Sequence, residues 1–218
     1  MNWTVVPLDA PNGTTRAAGL FAKQIDHVVR SRICVPSHPA RRELENFVER
    51  AREEQPHITW VLPADIWLGV EDGGALVGAV HLAVPVGQAL DALRMLDQPN
   101  GGTSEWFSKY LRRCAFVDEV AVRVTHRRLG LGLALLEAAE RRGVEDQDRE
   151  LHSIAAYAGN DAAIALFRRA GYTCGAPGTP VPREYANGFN TYFNPNYQAR
   201  GGAYVYKHTE KFPGDWKV

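Results

Sequence analysis

The chain has 218 residues with 45% hydrophobic content, which suits one large domain with a proper core and gives no reason to expect two. Lys and Arg total 25, as do Asp and Glu, so the formal net charge is +0 and no global field draws the chain to nucleic acid or to an anionic membrane. Cys34, Cys114 and Cys174 are odd in number and lack Cys-x-x-Cys spacing, which argues against a disulfide framework and against a zinc site, so no metal is expected.

Met1 to Pro7 carries neither a basic stretch nor a long apolar one, and no later segment is apolar enough to span a bilayer. The expectation is a soluble, cytoplasmic protein. Trp3 to Leu8 reads as a short strand and Pro11-Asn12-Gly13 as a turn. Thr14 to about Arg30 then reads as a helix with Leu20, Ile25, Val28 and Val29 in the core. Pro36 to Pro39 breaks the chain. A second helix starts at His38 or Pro39 and runs through Arg52, with Leu44, Phe47, Val48 and Ala51 on one face. Ile66 to Glu71 and Ala75 to Val84 are strands joined by the hairpin signal Asp72-Gly73-Gly74.

Pro85 to Arg113 holds a helix-like Gln88 to Leu96, the breaker Gln98 to Gly102 and the aromatic run from Trp106 to Tyr110. A lid that sets Trp106, Phe107 and Tyr110 against a cleft and a plain solvent loop are both open readings. Phe116 to Val124 and Leu151 to Ala158 read as strands, the second followed by a helix that Asn160 caps and Gly171 ends in a left-handed turn, with Ile164, Phe167 and Ala170 inward. Glu184 to Gly202 strings Tyr185, Phe189, Tyr192, Phe193 and Tyr197 among Asn and Gly before a last strand, Ala203 to Lys207. Those aromatics line a substrate cleft, make a subunit contact or pack a long hairpin.

The most informative stretch is Val120 to Gly132, where a β-like run ends in Arg127-Arg128-Leu129-Gly130-Leu131-Gly132 and opens into a helix. Unpaired N–H groups of a first helical turn, the helix dipole and adjacent arginines together favour a phosphate, most simply a pyrophosphate. A dinucleotide site would need a third glycine where Leu135 stands, and a nucleotide hydrolase loop would need a Gly-Lys-Ser/Thr ending that is absent.

Arg127-x-x-Gly130-x-Gly132 resembles the acyl-coenzyme A pyrophosphate loop of the GNAT superfamily of N-acetyltransferases, Gln/Arg-x-x-Gly-x-Gly/Ala. Asn160, Ala163, Leu166, Gly171 and Tyr172 are in register with that superfamily's downstream signature, Asn-x-x-Ala-x-x-Leu-Tyr-x-x-x-Gly-Phe. The resemblance is specific from Phe116 to Tyr172 and implies an α/β (α+β) GNAT fold, a mixed central β-sheet flanked by helices on both faces. It implies a single domain over residues 1–218, with an insertion at about 85–113 and an aromatic-rich loop at about 184–202. Acetyl-CoA is the implied cofactor, and the acceptor is a primary amine of a small molecule or an exposed peptide or protein amine. A homodimer is compatible with it.

By that resemblance the main chain of Val120, Ala121 and Val122 runs beside the pantetheine arm, with an N–H near Val120 or Ala121 polarising the acyl carbonyl. Arg127, Arg128, Leu129, Gly130, Leu131 and Gly132 bind pyrophosphate, and Asn160 and Phe167 lie on the cofactor side. Phe167 stands where many relatives carry a tyrosine that protonates the thiolate, so Tyr172 or Tyr157, or water, must serve. For the base, Asp118 and Glu119 are two acids in an otherwise apolar strand, where desolvation raises pKa values, and Glu119 is favoured. A structural ion pair with Arg123 or Arg113 is the competing reading. His81, His126 and His152 are weaker candidates, since a strand histidine is more often packed than catalytic. Two other functions stay open: a non-catalytic acyl-CoA-binding module, which Phe167 favours and the acid pair opposes, and transfer of a longer acyl group.

Overall fold

The computed structural model describes residues 3–9, 11–25, 39–95, 103–176 and 203–209. The expected positions Val28, Val29 and Arg30, the breaker Gln98 to Gly102 and the aromatic segment Glu184 to Gly202 lie outside them. In chain order the elements are β1 (Val6–Pro7), α1 (Asn12–Gln24), α2 (Pro39–Glu54), β2 (Ile66–Asp72), β3 (Ala75–Ala83), α3 (Val86–Met95), α4 (Ser104–Arg113), β4 (Cys114–Val122), α5 (Leu131–Glu145), β5 (Ser153–Ala158), α6 (Asp161–Arg169), β6 (Thr173–Cys174) and β7 (Ala203–His208).

The strands form one mixed sheet in the order β1-β2-β3-β4-β5-β7-β6, in which β4 and β5 are the parallel pair and every other neighbour is antiparallel. β2 and β3 meet through Gly73 and Gly74, both at positive φ, the geometry of a two-residue hairpin turn. α1 covers one face, where Ala17, Leu20 and Phe21 pack with Ala79 and Ala121. α5 and α6 cover the other, where Leu131, Leu135, Ile164 and Phe167 pack on Val80 and Val117. This is the architecture the sequence implied.

Two expectations change. Pro11-Asn12-Gly13 is not a turn ahead of the helix but its start, because α1 begins at Asn12 and the Gly13 amide bonds Asp9 O at 2.8 Å. A Cβ on Gly13 would stand 2.7 Å from the Leu8 carbonyl carbon, so the glycine lets the helix start close against the strand end. The second change concerns Pro85 to Arg113, whose described residues form two helices. Thr103 caps α4 by accepting from the Trp106 amide at 3.1 Å. Leu90, Phe107, Tyr110 and Leu111 then pack with Leu44 and Val48 of α2 in a second core at the end of β3 and the start of β4. Phe107 and Tyr110 are 0% exposed, and Phe47 meets Phe107 edge-on at 5.7 Å. These side chains are core residues, so neither the solvent loop nor a lid with Phe107 and Tyr110 on the cleft describes them.

Phe107→Ala should therefore cost about 3–5 kcal/mol of stability, as loss of a buried aromatic does. Urea unfolding checks this; a loss below about 1 kcal/mol would mean that α3 and α4 do not share a core with α2.

Candidate active site

The site begins where two parallel strands part. Pairing of β4 with β5 runs from Cys114↔Ser153 to Val117↔Ala156 and goes no further, although β4 continues to Val122 and β5 to Ala158. On its other side β4 stays paired with β3, but the register slips between His81↔Glu119 and Leu82↔Val117. Asp118 is thus the extra residue of a β-bulge, which bends the strand at the point where it leaves β5. Past the bulge, the main chain of Val120, Ala121 and Val122 is held by β3 at Val80, Ala79 and Gly78 and has no ladder on the β5 side. That open edge can receive an extended ligand by main-chain hydrogen bonds.

Beyond Val122 the chain makes a 3-10 turn, Val124–His126, and then the glycine-punctuated loop. Gly130 is the N-cap of α5 at φ 86, a left-handed conformation, and supplies no side-chain cap. The first amide bonded within the helix is that of Ala134, to Gly130 O at 3.0 Å. The amides of Leu131, Gly132 and Leu133 therefore point outward along the dipole without an intrahelical partner. Arg128, at φ 64, is the non-glycine residue with positive φ among those described, a conformation that costs of order 1–2 kcal/mol and clusters at functional sites. Gly132 has a further constraint: a Cβ there would stand 3.1 Å from Leu166 Cδ2 of α6.

The loop is braced on several sides. Arg127 is turned back, donating through Nε to Val122 O at 3.1 Å and through a terminal nitrogen to Gln24 Oε1 at 3.3 Å. Trp3 Nε1 donates to Leu129 O at 3.1 Å, and His126 lies 3.1 Å from Asp72 Oδ2 on the β2–β3 hairpin. Val124 and Leu129 are exposed apolar side chains, at 66% and 45%, one at each end of this loop.

The acids sit on the α1 side of the sheet. Glu119 is half-buried and directly across from His81. Asp118 is paired, and its partner is His81 rather than Arg123 or Arg113: Oδ2 lies 3.4 Å from Nδ1, with the two side chains 8% and 1% exposed. The other ring nitrogen, Nε2, lies 3.4 Å from Asp65 Oδ2, and the ring stacks on Trp67 at 3.7 Å. Asp65 also accepts from Arg41 at 3.0 Å, and Arg41 in turn reaches Glu45 at 2.9 Å. Burial opposes charge on His81, but Asp118 and Asp65 outweigh it and hold its pKa above the ordinary histidine value. Arg149, also buried, donates to Ala64 O at 2.7 Å beside Asp65, and burial pulls its pKa down.

On the β5 side, Asn160 caps α6 through Oδ1, which accepts from the Ala163 amide at 2.9 Å, and Gly171 ends the helix at φ 83. Phe167 and Tyr172 meet edge-on at 5.0 Å inside the core, where Tyr172 is 4% exposed. Lys207 Nζ joins Glu140 of α5 at 2.7 Å to Ala170 O at 2.8 Å, fixing α5, α6 and β7 together. The structure thus brings Glu119, the open edge of β4 and the loop from Arg127 to Gly132 along one continuous path. Asp65, Trp67, Arg41 and Arg149 had no motif to announce them; a lone histidine in the strand facing an acid-bearing strand was their one sequence signal.

A family model described as "Acetyltransferase (GNAT) family" matches residues 34–172. Among solved structures, an agmatine N-acetyltransferase variant without ligand is 16% identical, covers 95% of this chain and 100% of its own, and superposes with a TM-score of 0.50. A spermidine N-acetyltransferase from Vibrio cholerae, in complex with CoA and spermine, is 16% identical over 95% of this chain and 96% of its own, with a TM-score of 0.47. A ribosomal-protein alanine N-acetyltransferase from Escherichia coli is 16% identical over 94% and 92%, with a TM-score of 0.46. At such identity a likeness shows the fold alone. No curated protein matches the chain.

The His81 cluster predicts how stability depends on pH. Its folded pKa lies above the unfolded value of about 6.5, so its contribution is fully present below that value and is lost as pH rises through the folded one. The excess of wild-type stability over His81→Gln should therefore shrink as pH rises from about 6.5, by about 1.4 kcal/mol per unit of separation between the two pKa values. Urea midpoints across that range check it; a constant or growing difference would be the wrong sign.

Proposed function

The chain belongs to the acetyltransferase (GNAT) family, and on that premise we propose that it transfers an acetyl group from acetyl-CoA to a primary amine of a small molecule or an exposed protein amine. The observation that carries this reading is the continuity of an open β4 edge, from Val120 to Val122, with the uncapped start of α5 behind a left-handed Gly130. These residues fit the cofactor: an extended arm needs main-chain partners, and a pyrophosphate needs outward amides with no Cβ in the way. The amides of Leu131, Gly132 and Leu133, with the charge of Arg128, bind the pyrophosphate, and the main chain of Val120 to Val122 binds the arm. Arg127, through its bonds to Val122 and Gln24, holds the loop in shape. When bound, acetyl-CoA supplies the activated thioester.

The chain's own chemistry is then limited to polarising a carbonyl and moving protons. An N–H near Val120 or Ala121 polarises the carbonyl. Glu119 takes the ammonium proton, directly or through water, while Asp118 is occupied by His81. Phe167 has no proton to give and Tyr172 is enclosed against it in the core, which leaves half-buried Tyr157 of β5 or water to supply the proton for the leaving thiolate. The single-domain reading over residues 1–218 is part of the same proposal, with the helices of 86–95 and 104–113 as its insertion.

Release of coenzyme A over a panel of amines tests the activity. Glu119→Gln should lower kcat by about 10²-fold or more while leaving coenzyme A affinity unchanged, because a base acts on the acceptor. A loss of only a few-fold in both Glu119→Gln and Asp118→Asn would remove the acids from the reaction. A non-catalytic acyl-CoA-binding module, which Phe167 favours, predicts binding without turnover on any amine.

Gly132→Ala and Gly132→Asp test the loop together. Both add a Cβ against Leu166, but only the second brings a negative charge to the anion site. In calorimetric titration Gly132→Ala should bind coenzyme A within a few-fold of wild type and Gly132→Asp at least about tenfold more weakly. Equal affinity in the two folded variants would overturn the pyrophosphate assignment.

A further inference from the structure

We propose that His81 is a positioning residue: bridging Asp65 and Asp118 as an imidazolium, it fixes the bulge of β4 and so the placement of Glu119 and of the main chain that receives the acyl carbonyl. The proposal deepens the acetyl-transfer reading and rests on it for the catalytic consequence.

The geometry restricts what this ring can be. Asp65 Oδ2 stands 3.4 Å from Nε2 and Asp118 Oδ2 3.4 Å from Nδ1, so each nitrogen has a carboxylate within ion-pair distance. Neutral imidazole carries a single N–H and satisfies one of them, leaving a lone pair turned toward the other carboxylate. The imidazolium has an N–H for each. Trp67 stacks on the ring with planes 14° apart, which holds the ring between the two acids; at 3.4 Å both contacts are ion pairs, and neither meets hydrogen-bond geometry.

The charged surroundings of His81 come from several elements. Asp65 precedes β2, while Asp118 and the cross-strand Glu119 are on β4. Behind Asp65 stand Arg41 of α2 and Arg149 ahead of β5, the latter donating to Ala64 O. α1 turns Ala17, Leu20 and Phe21 to this face of the sheet and adds no charge from those positions. With Arg41 already on Asp65, His81 is the cation that pairs with Asp118 among the described residues.

The consequence lies in position along the strand. Asp118 is the bulged residue, and β4 leaves β5 after its neighbour Val117. Holding the Asp118 carboxylate against β3 therefore holds the bend, and the bend sets where Glu119 and the amides of Val120 and Ala121 stand. Misplacement of reacting groups by about 1 Å can cost 10²-fold in rate. Once the ring loses its proton, Asp118 loses its cationic partner and the bend loses its anchor.

Nitrogen-15 spectra of the histidine ring, read alongside kcat–pH profiles, test this. In the wild type both ring nitrogens should be protonated at pH 7, and the ring should titrate at lower pH in Asp65→Asn and in Asp118→Asn. Wild-type kcat should fall on the alkaline side as the ring deprotonates. In Asp65→Asn, which changes the ring's neighbour on the β2 side and leaves Asp118 and Glu119 in place, that alkaline limb should move down together with the ring's own titration. His81→Gln should lose the limb and drop kcat by about 10²-fold, with KM for acetyl-CoA within about twofold.

A ring that is neutral at pH 7, an alkaline limb that ignores the ring's titration in Asp65→Asn, or a folded His81→Gln enzyme with wild-type kcat would each overturn the proposal. The Asp65→Asn comparison stands even if His81→Gln fails to fold. A wild type silent toward every amine would overturn the acetyl-transfer reading. A doubly protonated ring whose titration falls in both Asp variants would still support the bridge in that case.

Discussion

Everything at the site follows from a parallel strand pair that is cut short. β4 and β5 share a ladder only as far as Val117 and Ala156, and the strands then diverge. Main-chain donors and acceptors turned into that gap must find partners, since a buried polar group left unmade costs about 1–3 kcal/mol. A sheet keeps such a defect only if something enforces it. The bulge at Asp118 is the enforcing device on β4, because an extra residue forces the strand to bend away from β5 while its pairing with β3 continues. α5 then starts at Leu131, after the turn and loop that follow the bent strand, and its first amides have no side-chain cap.

A row of buried charges holds the bend from behind. Arg41, Asp65, His81 and Asp118 run from α2 across β3 to β4, and Arg149 bonds the backbone beside Asp65 from the other end of α5. Taking so many ionised groups out of water is expensive, and apolar side chains of similar volume would often be as stable. Apolar alternation along the strand already selects a register, and the His81–Asp118 pair adds a constraint at the bulged residue itself. The helices of the insertion share in this. α2 carries Arg41 and also Leu44 and Val48, which pack into the core with Leu90 of α3 and Phe107 of α4. α3 and α4 therefore buttress the helix that presents Arg41 to the cluster.

Legibility in the sequence divides along the same line. The hairpin at Gly73-Gly74, the α5 start at Gly130, the Asn160 cap and the Gly171 stop all rest on local backbone chemistry, and each reads directly from the chain. The Pro11-Asn12-Gly13 start of α1 looks like a turn in the sequence because its cause, close packing of Gly13 on Leu8, is a tertiary contact that no dipeptide signal encodes. Phe107 and Tyr110 read as lid aromatics for a related reason: an apolar face looks alike whether it closes a cleft or a core, and only α2 decides which. Asp118 and Glu119 stood out as acids in an apolar strand. Their different surroundings did not, because His81 reaches Asp118 from another strand and the slip in register that assigns it to Asp118 is invisible in either strand alone.

The two motifs also meet in a way their spacing does not convey. Gly132 of the phosphate loop faces Leu166 of the downstream motif, close enough that a Cβ on the glycine would press on the leucine. The missing side chain makes room for the helix packed beside it, and the proposed anion in front of the helix would favour glycine for the same steric reason. The rest of the cradle is main chain. Amides of β4 and α5 present the same donors whatever side chains they carry, so that half of the site constrains sequence at only a few positions, chiefly Gly130 and Gly132. The proton-handling half is different in kind. It depends on which charged side chains are buried together, and a change at His81, Asp65 or Arg41 alters the balance of charge around Asp118 without touching the cradle. The site thus joins a backbone half that the fold itself supplies to an electrostatic half set by a few buried side chains.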